Sequence, residues 1–324
     1  MRTKVTMTLL VRDEQDIIED NIRFHHQNGV DSFIVMDNAS TDATSDILNR
    51  LSREIPIDCL YQPQVDYAQS EWVTWMARRA AVDHGADWVI NNDADEFWLP
   101  ENGTYAILLA HQPQDVSGVL VKRHNAAVIN ETNTALSGQT HPRTSCIFET
   151  TSLNIDGNQL PGKMLHRASP DVTVAQGNHK VQNLPGHFIG AENLLSILHF
   201  PHRSFSKYTH KIRVGGAAYA RNSMLPLSLG KAWRLHYEKL QAGALEGVWQ
   251  DIVTSPTEMT QGLDTGALFT DSRLVDYLDS SAIFDERTPL RPPVKGDLSE
   301  VDDLGKDPQL KEVACRTKSH SDMI

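Results

Sequence analysis

The feature that most constrains the fold of this chain is the alternation of apolar runs and helix-like segments over residues 3–92. The apolar runs show little polar alternation, which is typical of strands buried on both faces. They cover residues 3–11, 32–36, 57–61 and 87–91. The segments between them have helical spacing and cover residues 16–28, 41–53 and 68–84. This order predicts an α/β fold with a mostly parallel central sheet flanked by helices.

The charge balance and the cysteines exclude several classes of protein. With 30 basic and 42 acidic residues the net charge is −12, which disfavours binding to a nucleic-acid backbone. The three cysteines, Cys59, Cys146 and Cys315, are far apart and odd in number, so neither a disulfide scaffold nor a zinc knuckle is expected. No apolar run is long enough to span a membrane. We therefore expect a cytoplasmic protein that can still contact a membrane peripherally.

Polar residues follow three of the predicted strands at the point where each strand ends. They are Arg12-Asp13-Glu14, Asp37-Asn38 and Asp93-Ala94-Asp95. Ligands of parallel α/β sheets bind outside the carboxyl ends of the strands, so these clusters should converge on one crevice. Neither a GxGxxG sequence nor a phosphate-binding GxxxxGK[ST] loop is present, which argues against the standard dinucleotide and P-loop sites.

The most informative of these clusters is the pair Asp93 and Asp95. Two carboxylates separated by one residue after a buried strand can both face Mg²⁺ or Mn²⁺. The oxygens of a diphosphate often complete the coordination shell of such a cation. The alternative is a solvated acidic turn. Asp37 could accept hydrogen bonds from a base or a ribose, or it could only close an Asx turn before the next helix.

Taken together, these motifs resemble those of nucleotide-diphospho-sugar glycosyltransferases of the GT-A type, in a family-2-like branch. That branch has R-[ND]-E after strand one, D-N-x-S-x-D-x-T after strand two and D-x-D-E-F after strand four. Here the three places hold RDE at 12–14, DNASTDAT at 37–44 and DADEF at 93–97, with Asp13 in place of the commoner Asn. GNH at 177–179 and HFPHRS at 199–204, followed by Lys207 or Lys211, are similar to later motifs of the branch. The resemblance covers residues 5–215.

The resemblance implies a metal-dependent enzyme that moves a sugar from a nucleoside diphosphate sugar to a hydroxyl of a glycan or lipid-linked acceptor, with inversion. It implies that Mn²⁺ or Mg²⁺ is held by Asp93, Asp95 and a histidine. His199 is favoured for that role over His179. The residues expected to hold the donor nucleotide are Arg12, Glu14, Asp37 and Asp93.

An inverting transfer also needs a base on the acceptor side of the sugar, away from the metal. We expect a carboxylate from the second half of the chain in this role. Glu192, seven residues before His199 in a loop, is the first candidate, followed by Glu149 and Asp171.

The expected domain organisation follows from the extent of these motifs. A GT-A catalytic domain should span residues 1–220, with a nucleotide-binding half at 1–100 and an acceptor and metal-completing half at 101–220. A helical extension should follow at 221–284. Residues 285–324 are rich in Pro, Lys, Asp and Ser, and we expect them to form a flexible tail.

Three other functions stay open at this point. A nucleotidyltransferase would usually have a Gly-rich phosphate loop where this chain has Arg12-Asp13-Glu14. A metal-dependent hydrolase could use the histidines, for example His199 and His202. However, neither a cysteine nor another third fixed ligand accompanies these two histidines. A non-catalytic sugar-binding relative would retain the motifs without turnover. Tight zinc binding without nucleoside diphosphate would favour the hydrolase, and donor hydrolysis with Mn²⁺ would exclude the non-catalytic relative.

Overall fold

The computed structural model describes residues 2–64, 69–130, 136–192, 194–222, 226, 229–285 and 299–300. The predicted tail at 285–324 therefore lies outside the described residues, except for Asp285 and the short strand at Ser299–Glu300. Helices in the described part are, in chain order, α1 (Ile18–Gln27), α2 (Thr44–Leu51), α3 (Gln69–Val82), α4 (Tyr105–Ala110), α5 (Phe205–Lys211), α6 (Ala217–Arg221), α7 (Lys231–Gln241), α8 (Leu245–Ile252), α9 (Pro256–Thr265) and α10 (Arg273–Asp285). A 3₁₀ turn lies at Gln176–Asn178, and a π-helix at Ile212–Gly216 joins α5 to α6.

The strands of the described part form one large sheet and several small ones. They are, in chain order, β1 (Val5–Val11), β2 (Ser32–Asp37), β3 (Ile57–Tyr61), β4 (Trp88–Asn92), β5 (Glu96–Pro100), β6 (Val116–Val121), β7 (Arg123–Asn125), β8 (Val128–Ile129), β9 (Ile147–Glu149), β10 (Lys163–Arg167), β11 (Thr173–Val174), β12 (Val181–Gln182), β13 (His187–Gly190), β14 (Leu195–His199), β15 (Val253–Thr254), β16 (Leu268–Thr270) and β17 (Ser299–Glu300).

The large sheet has the strand order β13-β6-β10-β4-β1-β2-β3-β17. Its strands pair in parallel except at β10, which is antiparallel to both β4 and β6. The predicted fold class, an α/β protein with a mostly parallel central sheet flanked by helices, is confirmed.

The two faces of the sheet bury different helices, because successive side chains of a strand point to opposite faces. Phe33 and Val35 of β2 join a core that includes residues of α1 and α2. Ile34 and Met36 join a second core built on α3. Apolar packing on both faces holds the ends of β1, β2 and β4 at fixed positions, and these ends carry the polar clusters.

A small three-stranded sheet places later residues next to the end of β4. In it, β14 lies between β5 and β7, antiparallel to the first and parallel to the second. His199, the last residue of β14, is paired with Glu96 on one side and Asn125 on the other. This register positions His199 beside residues 93–96 although about a hundred residues separate them in sequence.

The described residues between 221 and 284 pack back onto the rest of the molecule. They contribute α7 to α10 and two short strands, β15 paired with β8 and β16 paired with β9. Leu274 and Leu278 of α10 belong to the main core. The segment predicted as a helical extension thus also contains strands, and the boundary at residue 220 stays a prediction.

Candidate active-site cleft

A cleft of about 580 Å³ lies at the carboxyl ends of β1 and β4. The structure brings residues of all three predicted clusters into its lining, namely Arg12, Asp13, Glu14, Asn38, Asp93 and Asp95. Asp37 does not line the cleft. Its side chain is buried, and it accepts hydrogen bonds from the backbone N–H of Ser40 (2.9 Å) and from the hydroxyl of Ser45. Asp37 therefore holds together the loop that carries Asn38.

Asp93 has protein donors on both carboxylate oxygens. Lys163 Nζ donates to Oδ2, and Asn178 Nδ2 donates to Oδ1 at 3.1 Å. Lys163 is buried and also lies 3.2 Å from Oε1 of the buried Glu96. Burial would raise the pKa of Asp93, but Lys163 and, to a smaller extent, His179 lower it overall. Asp93 is thus ionised and fixed by a lysine of β10.

Asp95 has a different environment. Its Oδ2 accepts from Lys211 Nζ at 2.8 Å and lies 3.7 Å from an Arg203 nitrogen, whereas its Oδ1 lies 3.6 Å from His199 Nε2. Burial would raise the pKa of Asp95, but Lys211, His199 and Arg203 together lower it well below its usual value. Asp95 is therefore an ionised carboxylate with one oxygen directed toward an imidazole.

The arrangement of Asp95 and His199 fits a divalent cation. His199 Nδ1 lies 2.7 Å from the side-chain oxygen of Asn125, and Nε2 faces Asp95. In the tautomer in which Nδ1 donates to that oxygen, Nε2 has the lone pair. A carboxylate oxygen and a neutral imidazole nitrogen are suitable ligands for Mn²⁺, and diphosphate or water oxygens can supply the rest. Within the described residues, no group of three or more His, Cys, Asp or Glu side chains could hold a metal ion. A metal ion at this position would therefore need further ligands from a bound substrate.

The cleft floor is rich in cations that come from the start of α5. Arg203 is 7% exposed; it donates to Glu14 and, through Nε, to Asp16 at 2.7 Å. Lys207 Nζ lies 2.8 Å from Asp16. Burial raises the pKa of Glu14, and Arg203 opposes that effect only in part. These ion pairs tie α5 to the loop after β1 and place positive charge along the floor.

Arg12 also lines the cleft and is only weakly paired. Its nearest carboxylate oxygen, on Asp13, is 4.0 Å away, and its buried Nε has no hydrogen-bond partner among the described residues. The Arg12 side chain lines the cleft and is 27% exposed.

Two cleft histidines have one ring nitrogen fixed by a hydrogen bond. His179 Nδ1 lies 3.0 Å from the carbonyl oxygen of Gly162, so its lone pair is on Nε2. Burial, followed by Lys163 and Arg123, lowers the pKa of His179 to about 4. His210 Nε2 lies 2.7 Å from Asp13 Oδ2. Asp13, the departure from the commoner Asn, thus has a histidine as its partner.

The three carboxylates predicted as the base do not line the cleft. Glu192 and Asp171 are exposed on other parts of the surface. Glu149, on β9, is half-buried behind Asn125. Burial raises its pKa, and hydrogen bonds with Ser152 and Asn125 oppose the rise.

Sequence reasoning missed Asn125 and the contact of Lys163 with Asp93, although Lys163 was among the basic residues considered for a diphosphate, and it left His210 without a role. Lys163 is in the short strand KMLHR, 70 residues after its partner Asp93, and Asn125 is 74 residues before His199. Each is recognisable only once β10 and β14 are placed in their sheets. For His210, the aspartate at position 13 in place of the usual asparagine was the one available signal.

His202, the second residue of the His199-x-x-His202 pair, packs among aromatic rings. Its ring is edge-on to Tyr208 with centroids 5.3 Å apart, and a similar contact is made to Trp249 at 6.4 Å. This packing does not present the two histidines as a zinc pair.

The mouth of the cleft is apolar. Three exposed apolar side chains line it, Leu153, Ile155 and Leu229, with exposed fractions of 54%, 43% and 38%. Asp156, beside Ile155, forms an ion pair with Lys231 at the start of α7 and so joins the 153–160 loop to that helix.

Within the described ranges, none of the helices combines the length and apolar character needed to cross a bilayer. No protein-family model matches the chain, and no curated protein matches it.

Comparison with solved structures finds distant similarities. Staphylococcus aureus TarS 1–349 in complex with UDP is 10% identical, with 75% of this chain and 71% of TarS 1–349 covered and a TM-score of 0.40. The same protein with UDP-GlcNAc is 9% identical, with 75% and 72% covered and a TM-score of 0.39. Mycobacterium tuberculosis glucosyl-3-phosphoglycerate synthase with Mn²⁺, UDP and glucosyl-3-phosphoglycerate is 17% identical, with 38% and 44% covered and a TM-score of 0.25. Sequence identities and TM-scores this low do not indicate an activity for this chain.

Proposed function

We propose that this protein is a glycosyltransferase that moves a sugar from a nucleoside diphosphate sugar to an acceptor hydroxyl, with a divalent metal and with inversion. The observation that carries the proposal is the pair Asp95 and His199, which presents a carboxylate oxygen and an imidazole nitrogen 3.6 Å apart in a cleft whose floor is cationic. A diphosphate leaving group needs a cation and positive side chains around it.

The leaving group acquires negative charge as its bond to the sugar breaks. Lys211 and Arg203, both next to Asp95, are placed to stabilise that charge electrostatically. A bound Mn²⁺ or Mg²⁺, held by Asp95 and His199, would supply further charge stabilisation there. Asp93, with Lys163 and Asn178 on its oxygens, would act in donor binding through its position in the cleft rather than as the principal metal ligand.

The nucleoside would lie between the ends of β1 and β2. The position of Arg12 in the cleft lining, with a partly exposed side chain, supports a role in binding the donor. In the proposal, Glu14 acts by holding Arg203, and Asp37 acts by holding the loop that carries Asn38.

The proton of the acceptor hydroxyl needs a base within the cleft. The predicted roles of Glu192, Glu149 and Asp171 stay predictions, and we add His179, which lines the cleft with an unprotonated Nε2. A pKa of about 4 makes His179 about as basic as a carboxylate. This basicity is sufficient to remove the proton, because the hydroxyl group of the acceptor becomes strongly acidic as its oxygen bonds to the sugar.

The apolar mouth supports an acceptor that carries an apolar group. Leu153, Ile155 and Leu229 expose side chains where the acceptor would enter, which favours a lipid-linked sugar over an entirely polar glycan. Peripheral contact with a membrane would fit such an acceptor.

Binding of nucleoside diphosphates, measured by calorimetry with and without Mn²⁺, tests the proposal. We expect UDP, GDP or CDP to bind the wild-type protein more tightly when Mn²⁺ is present. Asp95→Asn should lose that dependence on Mn²⁺. Asp171→Asn, outside the cleft, is the matched control and should retain it.

Circular dichroism would verify that Asp95→Asn remains folded, since this change leaves Lys211 and Arg203 without their carboxylate. Tight zinc binding without affinity for any of the three nucleotides would reject the proposal in favour of a hydrolase.

A further inference from the structure

We infer that the mouth of the cleft docks on the surface of a membrane that contains anionic lipids. Apolar side chains at the mouth enter the interface, and the cations around them pair with the lipid head groups. The inference rests on the proposed function for its purpose, access to a lipid-linked acceptor, but vesicles test the surface itself without any substrate.

A long stretch of the sequence that includes this mouth has no acidic residue. The chain contains 42 Asp and Glu residues, yet none occurs between positions 193 and 237. The same stretch contains seven Lys and Arg residues, three of which surround the floor of the cleft. The other four, Arg213, Arg221, Lys231 and Arg234, lie on the π-helix, α6 and α7. Positive charge thus extends from the cleft floor to its mouth in a chain with a net charge of −12.

Apolar side chains and a cation meet where the 153–160 loop approaches α7. Lys231, the first residue of α7, forms an ion pair with Asp156 of that loop. Ile155 precedes Asp156, and Leu229 lies two residues before Lys231, so these two exposed side chains flank the ion pair. Both line the cleft together with the exposed Leu153. The apolar mouth is therefore bordered by the start of α7.

The cations of α6 and of the outer side of α7 extend from this corner. Arg234, one turn into α7, donates to the carbonyl oxygen of Asn222 at 3.5 Å, so the exposed Arg221 lies near it. Leu235 and Lys239 are four and eight residues after the first residue of α7, and all three are exposed, which places them on one side of the helix. Neither Arg221 nor Lys239 has an ion-pair partner among the described residues.

This combination of exposed leucines and cations fits a membrane better than a partner of one character. An acidic polymer would pair with the cations and leave the leucines in water, whereas an apolar partner would leave the cations without counter-charges. An anionic membrane satisfies both, because its head groups attract Lys and Arg and its acyl boundary accepts apolar side chains. Glu238 is the only acidic residue of α6 and α7, so little repulsion opposes the contact.

Co-sedimentation of the full chain with vesicles tests the inference. We expect binding to vesicles made of equal parts of phosphatidylcholine and phosphatidylglycerol, and much weaker binding to phosphatidylcholine alone. Binding to the mixed vesicles should weaken as salt is raised from about 0.1 M to about 1 M, because the Debye length falls from about 10 Å to about 3 Å.

The cations are tested by Arg221→Glu combined with Lys239→Glu. Each cation near an anionic surface typically favours binding about fivefold, so this double variant should lose about 25-fold or more in affinity for the mixed vesicles. Lys4→Glu combined with Arg53→Glu makes the same change in net charge at exposed positions near the amino ends of β1 and β3, away from the cleft. This control should bind as the wild type does.

The apolar side chains are tested by Leu229→Ser, which should lower the affinity for mixed vesicles about tenfold if the side chain enters the interface. Leu263→Ser is the control, since Leu263 of α9 is 37% exposed against 38% for Leu229 and is outside the cleft lining. Circular dichroism would verify folding. If the double variant of Arg221 and Lys239 does not fold, Leu229→Ser and the dependence on salt decide.

Equal affinity for the two kinds of vesicle, binding to neither, or equal losses in the two charge-reversal variants would overturn the inference. A loss in the variant of Arg221 and Lys239 without any effect of Leu229→Ser would also overturn it, because it would indicate an acidic partner other than a membrane. Vesicle binding by a wild-type protein that binds no nucleoside diphosphate would instead reject the proposed function and leave the docking surface standing.

Discussion

Asp93 and Asp95 are one residue apart, yet their carboxylates have different partners. Asp93 is held by Lys163 and Asn178, whereas Asp95 faces His199 with one oxygen and Lys211 with the other. The reason is that each reaches a different sheet, Asp93 toward β10 and Asp95 toward the end of β14. Two carboxylates in one short motif can therefore have separate roles, which in the proposed function are donor binding for Asp93 and metal binding for Asp95.

The general base is the role for which the candidate residue changed most between sequence and structure. One pair of substitutions separates the candidates His179 and Glu192. His179→Gln should lower kcat about a hundredfold or more, since general-base catalysis typically contributes that much, while nucleotide affinity is unchanged. Glu192→Gln should retain wild-type kcat because Glu192 is exposed and outside the cleft lining. Single-turnover kinetics with donor binding measured separately would check both. The opposite pattern would restore Glu192 as the base.

At the scale of elements, the first half of the fold is predictable because its strands and helices have a local pattern. Apolar runs and helical spacing over residues 3–92 predicted β1 to β4 and α1 to α3 to within a few residues. Beyond residue 122 many strands have only two or three residues, for example β8, β9 and β15. Strands that short have no periodicity, and they exist because a distant partner supplies their hydrogen bonds.

Asp16 illustrates the same limit at the start of α1. It opens the segment predicted as the first helix, a position at which aspartate often caps the helix by accepting from the first backbone N–H groups. In the structure the cap position is Ile17, with no side-chain hydrogen bond. Asp16 binds Arg203 and Lys207 instead, 187 and 191 residues later. A local rule failed here because a buried arginine requires a carboxylate.

The π-helix between α5 and α6 leads to a prediction about helix packing. A Cβ at Gly215 would lie 2.6 Å from the ring of Trp233, so α7 packs against this glycine with no space for a methyl group. Gly215→Ala should therefore destabilise the protein by about 1–3 kcal/mol, as overpacking usually does. Urea unfolding would measure it.

Gly247 is the matched control for this substitution. It lies within α8, with no atom within 4 Å of an added Cβ. Gly247→Ala should stabilise the protein by about 0.5–1 kcal/mol, because alanine loses less backbone entropy in a helix. Equal effects of the two substitutions on the free energy of unfolding would show that the contact with Trp233 does not determine the effect of Gly215→Ala.

At the scale of the whole molecule, the cleft is a network of charges drawn from distant parts of the chain. Arg203 joins Glu14, Asp16 and Asp95, and Lys163 joins Asp93 and Glu96. Glu14, Asp93 and Asp95 of this set were visible in the sequence because they follow strands. Their cations were not individually identifiable, since a lysine or arginine on a helix or short strand resembles one on any solvated surface.

Buried histidines outside the cleft predict how the stability of the molecule depends on pH. His166 of β10 has no exposed surface, and burial lowers its pKa to about 4 from an ordinary value of 6.5. As the pH falls below about 6.5, the unfolded chain binds a proton at this histidine and the folded protein does not. Stability should therefore fall with decreasing pH between 6.5 and 4, by about 1 kcal/mol per pH unit for each such group.

Replacement of His166 by leucine tests this linkage, because it removes the titrating group and also the buried Nε2 that has no hydrogen-bond partner among the described residues. We expect the free energy of unfolding of His166→Leu, measured in urea at pH 7, 6 and 5, to decrease less steeply than that of the wild type. His111→Gln changes an exposed histidine and should follow the wild-type slope. Parallel slopes for all three proteins would mean that His166 gains no net protons on unfolding, and the acid sensitivity of the fold would then have to arise from its carboxylates.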